Sequence, residues 1–126
     1  MSKRKRSKDR FVMLPFGMID SLAFKSLNPK SIALYVYIAR RYNGDNNGDI
    51  SFSVREGAKY LRVSPTTANN LIKELVEKGF LNITQDSSFN YKQRKARRFE
   101  LTQWNLKQGV APDNGWRFWK PKEKEQ

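Results

Sequence analysis

The chain has 126 residues, with 25 Lys or Arg against 12 Asp or Glu, a formal net charge of +13 and a sequence pI near 10.2. That length fits one domain with tails and a modest core, and the charge favours a polyanionic partner, nucleic acid before an anionic membrane. Cys and His are both absent. Disulfides, thiolate metal sites, Cys nucleophiles and the commonest general base are therefore excluded, and neither a cofactor, a metal nor an enzymatic activity is expected.

Residues 1–10 hold six basic side chains and one acid. Nothing in them can build a core, so they read as a disordered basic arm that offers Lys3, Arg4, Lys5 and Arg6 to phosphates. The apolar stretch that follows is interrupted by Pro15 and Gly17 and closed by Asp20. It does not read as a secretory leader, and no apolar run approaches the ~20 residues of a membrane span. A cytoplasmic, nucleoid-associated protein is expected.

A short helix is predicted over residues 18–24. Asn28-Pro29 opens a stronger one reaching about Tyr42, with Asn28 as cap and Pro29 where a missing N–H costs nothing. Its buried stripe would be Ile32, Tyr35, Val36 and Ala39, and Arg40 and Arg41 would suit the negative end of its dipole. The Asn/Gly/Asp cluster at 43–48 is a turn. Asn43, Asp45, Asn47, Gly48 and Ile50 approximate a calcium-loop pattern, but Asn stands at the first ligand position and Val54 where a bidentate Glu belongs. A plain turn is the preferred reading. A strand over 49–52 leads to Ser53, which caps a helix over 54–61 and forms a capping-box pattern with Glu56. Val54, Ala58 and Leu61 would face inward, and Arg62-Val63 is a tight link.

The next helix has both ends marked: Ser64 as cap, Pro65 at the first position and Gly79 as the stop after residues 65–78. Ala68, Leu71, Ile72 and Leu75 make its apolar stripe. The opposite face carries Thr66, Asn70 and Lys73, flanked by Thr67 and Asn69. Such side chains fit a major groove: Asn pairs with adenine, Thr meets a thymine methyl, and Lys reaches guanine or phosphate. Glu74 and Glu77 would repel phosphate, confining contact to residues 64–73. A strand over 80–84, a turn over 86–90 and a strand over 96–102 follow. Phe99 and Leu101 would face inward there, and Arg98 and Glu100 outward. This hairpin carries Lys92, Arg94, Lys95 and Arg97. Beyond it Trp104 would pack back on the domain and 109–115 would form a loop. Trp116, Phe118 and Trp119 are costly to leave in water, so they would dock on the domain, a second copy or a partner protein. A solvated tail closes the chain.

With helix, strand, helix, helix, strand, basic hairpin and strand in that order, the chain resembles the winged helix-turn-helix family. The resemblance rests on the stretch from Ile50 through Ser64, on Ala68-Asn-Asn-Leu-Ile-Lys-Glu-Leu75 and on Lys78-Gly-Phe-Leu81. It implies a mainly α fold with a small β-hairpin (α+β), with 54–61 as the supporting helix, 65–78 as the recognition helix and 92–98 as the wing. It implies an organisation into a basic arm (1–10), a DNA-binding domain (11–104) and an aromatic and basic tail (105–126). Double-stranded DNA would be the partner. Ser64 and the helix N-terminus would meet a phosphate, Thr66, Thr67, Asn69, Asn70 and Lys73 the bases, and Lys92, Arg94, Lys95 and Arg97 the backbone or an adjacent minor groove. Transcription regulators, plasmid and phage replication initiators and primosomal loading proteins share this pattern, and the segment from Leu14 to Asn28 looks more like the replication-type and phage-encoded members. Many such proteins bind palindromes as homodimers. Some use the fold as an assembly or adaptor module instead, a reading the aromatic tail favours and the basic arm and wing oppose.

Overall fold

The computed structural model describes residues 9–86, 88–90 and 93–122. The expected arm residues Lys3, Arg4, Lys5 and Arg6, and Lys92 of the hairpin, lie outside the described residues. The short helix predicted over 18–24 is instead two single turns, α1 (Phe16–Ile19) and α2 (Leu22–Lys25). Ser21 separates them: its backbone is extended, its Oγ donates to the Met18 carbonyl at 2.6 Å, and it accepts the Phe24 N–H at 3.1 Å as the cap of α2.

Helix α3 (Pro29–Ala39) starts as predicted, with Asn28 Oδ1 accepting the Lys30 N–H at 2.9 Å. It ends three residues before Tyr42, where the N–H groups of Arg41 and Tyr42 fall back on the Ile38 and Ala39 carbonyls in a tightened last turn. Its buried side is Leu34, Tyr35, Ile38 and Ala39, while Ile32 and Val36 are only half-buried. The predicted stripe was rotated because α3 is apolar around most of its circumference, and periodicity then selects no face.

After β1 (Ile50–Ser51), helix α4 (Val54–Leu61) is capped by Ser53, whose Oγ accepts the Glu56 N–H at 3.1 Å. Gly57 brings α4 close to α3: a Cβ there would meet Leu34 Cδ1 at 3.2 Å and Phe52 Cε1 at 3.3 Å. Arg41, expected only to face its own helix dipole, ties these elements together. Its Nη1 donates to the Ser51 carbonyl at 2.7 Å, its Nη2 pairs with Glu56, and its guanidinium carbon lies 5.1 Å from the Phe52 ring centre. Arg62, at φ 58° and ψ 47°, closes α4 in the left-handed conformation and turns the chain into α5 (Pro65–Glu77). That helix ends in a Schellman motif, with Phe80 N–H on the Leu75 carbonyl at 2.9 Å, Gly79 N–H on Val76 at 3.2 Å and Gly79 at φ 88°.

Strands β2 (Leu81–Gln85) and β5 (Arg98–Leu101) form with β1 an antiparallel sheet in the order β1-β5-β2, with Ile50 and Ile83 opposite Phe99 and Leu81 opposite Leu101. The register slips between Ile83 and Gln85, and the chain continues into a separate ladder of β3 (Ser88–Asn90) and β4 (Gln93–Lys95). The predicted turn at 86–90 is thus partly strand. A bulge at this point bends and twists the hairpin away from the sheet.

Glu100 was expected outward and is buried, 9% exposed. The reason is topological. β5 is the central strand, and Glu100 is held from both sides: Asn82 Nδ2 of the neighbouring β2 donates to its Oε1 at 3.0 Å, and the Lys107 N–H, from the chain after β5, to its Oε2 at 3.3 Å. Asn47, predicted to lie in a plain turn, is buried as well. It bridges the Leu101 N–H (2.6 Å), the Leu101 carbonyl (2.9 Å) and the Asn105 carbonyl (2.8 Å). The rest of the loop is the expected turn, with Asn43 Oδ1 accepting the N–H groups of Asp45 and Asn46.

Trp104 stacks on Tyr42 with centroids 5.2 Å apart. Within the last 3₁₀ turn (Gly115–Arg117), Trp116 enters the core and is 5% exposed. It joins Met18, Tyr35, Leu75 and Phe80, and Phe80 meets Phe24 and Tyr35 edge-on at 6.1 and 5.9 Å. Trp119 is half-buried with the Lys78 ammonium 4.9 Å from its ring centre, whereas Phe118 is 79% exposed. Two of the three tail aromatics therefore dock on the domain itself.

Candidate nucleic-acid interface

Ala68, Leu71, Ile72 and Leu75 of α5 are all buried, as their spacing predicted. With 100° per residue this fixes the opposite side, and there Thr66, Asn70, Lys73 and Glu77 are exposed in one row. Asn69 lies on the flank toward the hairpin, with its Oδ1 3.4 Å from Arg97 Nη1. The other flank faces the start of α3. Ser64 and Thr67 serve the cap: Ser64 Oγ accepts the Thr67 N–H at 3.1 Å and donates to Thr67 Oγ1 at 3.0 Å. Pro65 has no N–H and the Ala68 N–H is on the Ser64 carbonyl at 3.0 Å. This leaves Thr66 as the one N–H donor of the first turn open to a phosphate.

Glu74 does not stand on the groove face, contrary to expectation. It reaches across to α3 and accepts the Asn28 N–H at 3.1 Å, the Ser31 hydroxyl at 2.6 Å and the Lys78 ammonium at 3.0 Å. It thus caps a helix other than its own, so only Glu77 opposes phosphate from this helix. Partial burial by itself would raise the Glu74 pKa. The hydrogen bonds from Ser31, Lys78 and Asn28, with the Lys78 charge, outweigh it and hold the carboxyl below its ordinary value. A depressed folded-state pKa gives stability that is present above the unfolded-state pKa and is lost as pH falls through the folded value. Glu74→Gln is expected to lower stability at neutral pH by about 1–3 kcal/mol and to flatten the acid limb of the stability profile. Denaturant unfolding of both proteins at neutral and acid pH checks this; parallel profiles would refute it.

Beside α5, helix α4 presents cations that sequence reasoning passed over. Arg55, Lys59 and Arg62 are exposed, four and three residues apart, and share one side of the helix. The spacing of this row is readable in the sequence. Neither these three nor Lys73 forms an ion pair among the described residues, and Asp49 is engaged with Arg98 and Lys107, Glu56 with Arg41 and Glu74 with Lys78. The wing residues Arg94 and Lys95 fall on β4. Arg97 lies not on the outer wing but against α5, its side chain 22% exposed and its Nε 3.9 Å from Asp86 Oδ1. A groove between α5 and the hairpin, lined by Ile72, Lys73, Val76, Glu77 and Ile83, runs beside it.

Helices α3, α4 and α5 followed by a sheet with a protruding hairpin make the fold a winged helix-turn-helix. Residues 25–81 match the family described as "Helix-turn-helix domain". The matched stretch contains α3, α4 and α5 and stops where β2 begins. No curated protein and no solved structure matches the chain. Among the described residues, no helix is long and apolar enough to cross a membrane.

Proposed function

We propose that this protein binds double-stranded DNA sequence-selectively, with α5 in the major groove, and acts as a transcription regulator or replication-initiation factor in the cytoplasm, at the nucleoid. The observation that carries the reading is the exposed row Thr66, Asn70 and Lys73, which lies between cations on α4 that form no ion pair among the described residues and the basic hairpin. Asn70 has no partner among the described residues and can use both amide atoms on adenine. Thr66 and Lys73 lie one turn to either side of it. Arg55, Lys59 and Arg62 would meet phosphates on one side of the groove and Arg94 and Lys95 on the other, setting affinity and register but not sequence. The arm residues Lys3, Arg4, Lys5 and Arg6 would add long-range attraction, and Lys92 would extend the wing contact. Homodimer formation on a two-fold symmetric site belongs to the same reading.

Selection of bound duplexes from a random pool tests the proposal, and a symmetric consensus would report a dimer. Asn70→Ala is expected to relax preference at one base pair, by roughly 1–3 kcal/mol of discrimination. The triple change Arg55→Ala, Lys59→Ala and Arg62→Ala should instead weaken all sequences together and reduce the salt slope by roughly 2–3. If neither protein differs from the parent in fluorescence-anisotropy titrations, this docking is wrong.

A further inference from the structure

We propose that Arg97 orients the amide of Asn69, biasing it toward donation at the base edge beside Asn70. This deepens the DNA-binding reading above and rests on it. Asn69 is half-buried on the hairpin-facing flank of α5, and Arg97, one residue before β5, approaches it with Nη1 3.4 Å from Oδ1. A guanidinium has donors and no acceptor, so the amide atom turned toward it is the oxygen. The NH₂ group then faces away from Arg97 and has no partner among the described residues. Arg97 is partly buried against the domain, and the exposed Asp86 carboxylate lies 3.9 Å from its Nε.

The chemistry separates two neighbouring asparagines. An asparagine with both amide atoms free pairs bidentately with adenine, accepting from N6 and donating to N7. One whose oxygen is turned to a guanidinium keeps a single lone pair free and presents its NH₂ to the base edge first, which favours guanine N7 and O6 or thymine O4 over the adenine N6 donor. Asn70 is the first kind and Asn69 the second. Arg97 is thus a positioning residue for sequence selection, acting through Asn69, rather than a backbone contact of the outer wing.

The test is the base-preference profile of the full chain on a random duplex pool, with the position read by Asn69 located by Asn69→Ala. Guanine or thymine is expected there in the parent. Arg97→Met keeps much of the side-chain volume but removes the donors, and should shift that position toward adenine by at least about fivefold, leaving the position read by Asn70 unchanged. Arg97→Lys, which retains a donor, should keep the parental profile. Asn69→Asp, at a position that tolerates a polar exchange, keeps an acceptor for Arg97 but cannot donate, and should lose the preference. An adenine preference in the parent, or an Arg97→Met protein that loses affinity uniformly with the profile intact, would overturn the role of Arg97 alone. Failure of the parent to bind any duplex at low salt would overturn the DNA-binding reading as well.

Discussion

Gly79→Ala is expected to destabilise the domain by about 2–5 kcal/mol, combining the penalty of a left-handed residue with that of overpacking. Two independent constraints meet at this glycine. Its φ of 88° closes α5 by the Schellman motif, a conformation an L side chain resists. A Cβ there would also lie 2.4 Å from the Gly115 carbonyl carbon and 2.5 Å from the Trp116 nitrogen. Both obstacles are backbone, held by the Thr102 hydroxyl on the Gly79 carbonyl at 2.7 Å and by the Asn114 N–H on the Thr102 carbonyl at 3.0 Å, so neither can swing aside as a long side chain would. Thermal and denaturant unfolding measure the loss. DNA binding should fall only with the folded fraction, since none of the residues proposed to contact bases is touched. A cost of no more than about 1–2 kcal/mol, the scale of the left-handed penalty alone, would mean that the backbone at 115–116 does not lie over Gly79.

Trp116→Ala should cost about 3–5 kcal/mol. The indole is 5% exposed in a core built by α2, α3 and α5, and its Cη2 lies 4.0 Å from where a Cβ on Gly17 would stand. Removing it opens a void bounded by α1, α2 and the end of α5, which cannot collapse without moving the turn at Gly79. Trp116→Phe keeps most of the apolar volume and should recover more than half of the loss. Phe118→Ala is the internal control, because Phe118 is 79% exposed and its removal should be nearly neutral. Equal effects at 116 and 118 would contradict the docking of this segment.

The helices were legible because their ends are written in local chemistry. Asn28, Ser53 and Ser64 each cap the helix predicted for them, and Gly79 stops α5, through bonds spanning two to five residues. The face of α5 was legible because a narrow stripe fixes its opposite. What stayed hidden was set by distant partners. Glu74 looks like a solvated acid until α3 is brought to it, 46 residues away in sequence at Asn28. Glu100 fits an alternating outward position until the chain beyond β5 covers that side of the strand. Asn47 sits in a turn-forming stretch, yet its amide satisfies the backbone of residues 54 and 58 positions away. Trp116 announced that it would be buried, but nothing local said against what. At the interface, the residue types were readable and their couplings were not: Arg97 read as one of several wing cations, and only the fold puts it beside Asn69.

The seating of Trp116 has a consequence for how the protein is made. Both helices of the helix-turn-helix are complete once Lys78 has been added, yet the core against which they pack lacks one wall until residue 116 arrives. At about 5–20 residues per second, that wait is roughly 2–8 s of synthesis. During it the nascent chain carries the unfilled faces of α2, α3 and Phe80, followed by the strand edges of a sheet whose central strand comes last. Helix formation itself takes microseconds, so the helices can form and dissolve many times before they are locked. The late tryptophan defers the locking of this small domain until residue 116 has been made, and a ribosome stalled before it would hold a chain with α5 formed only transiently.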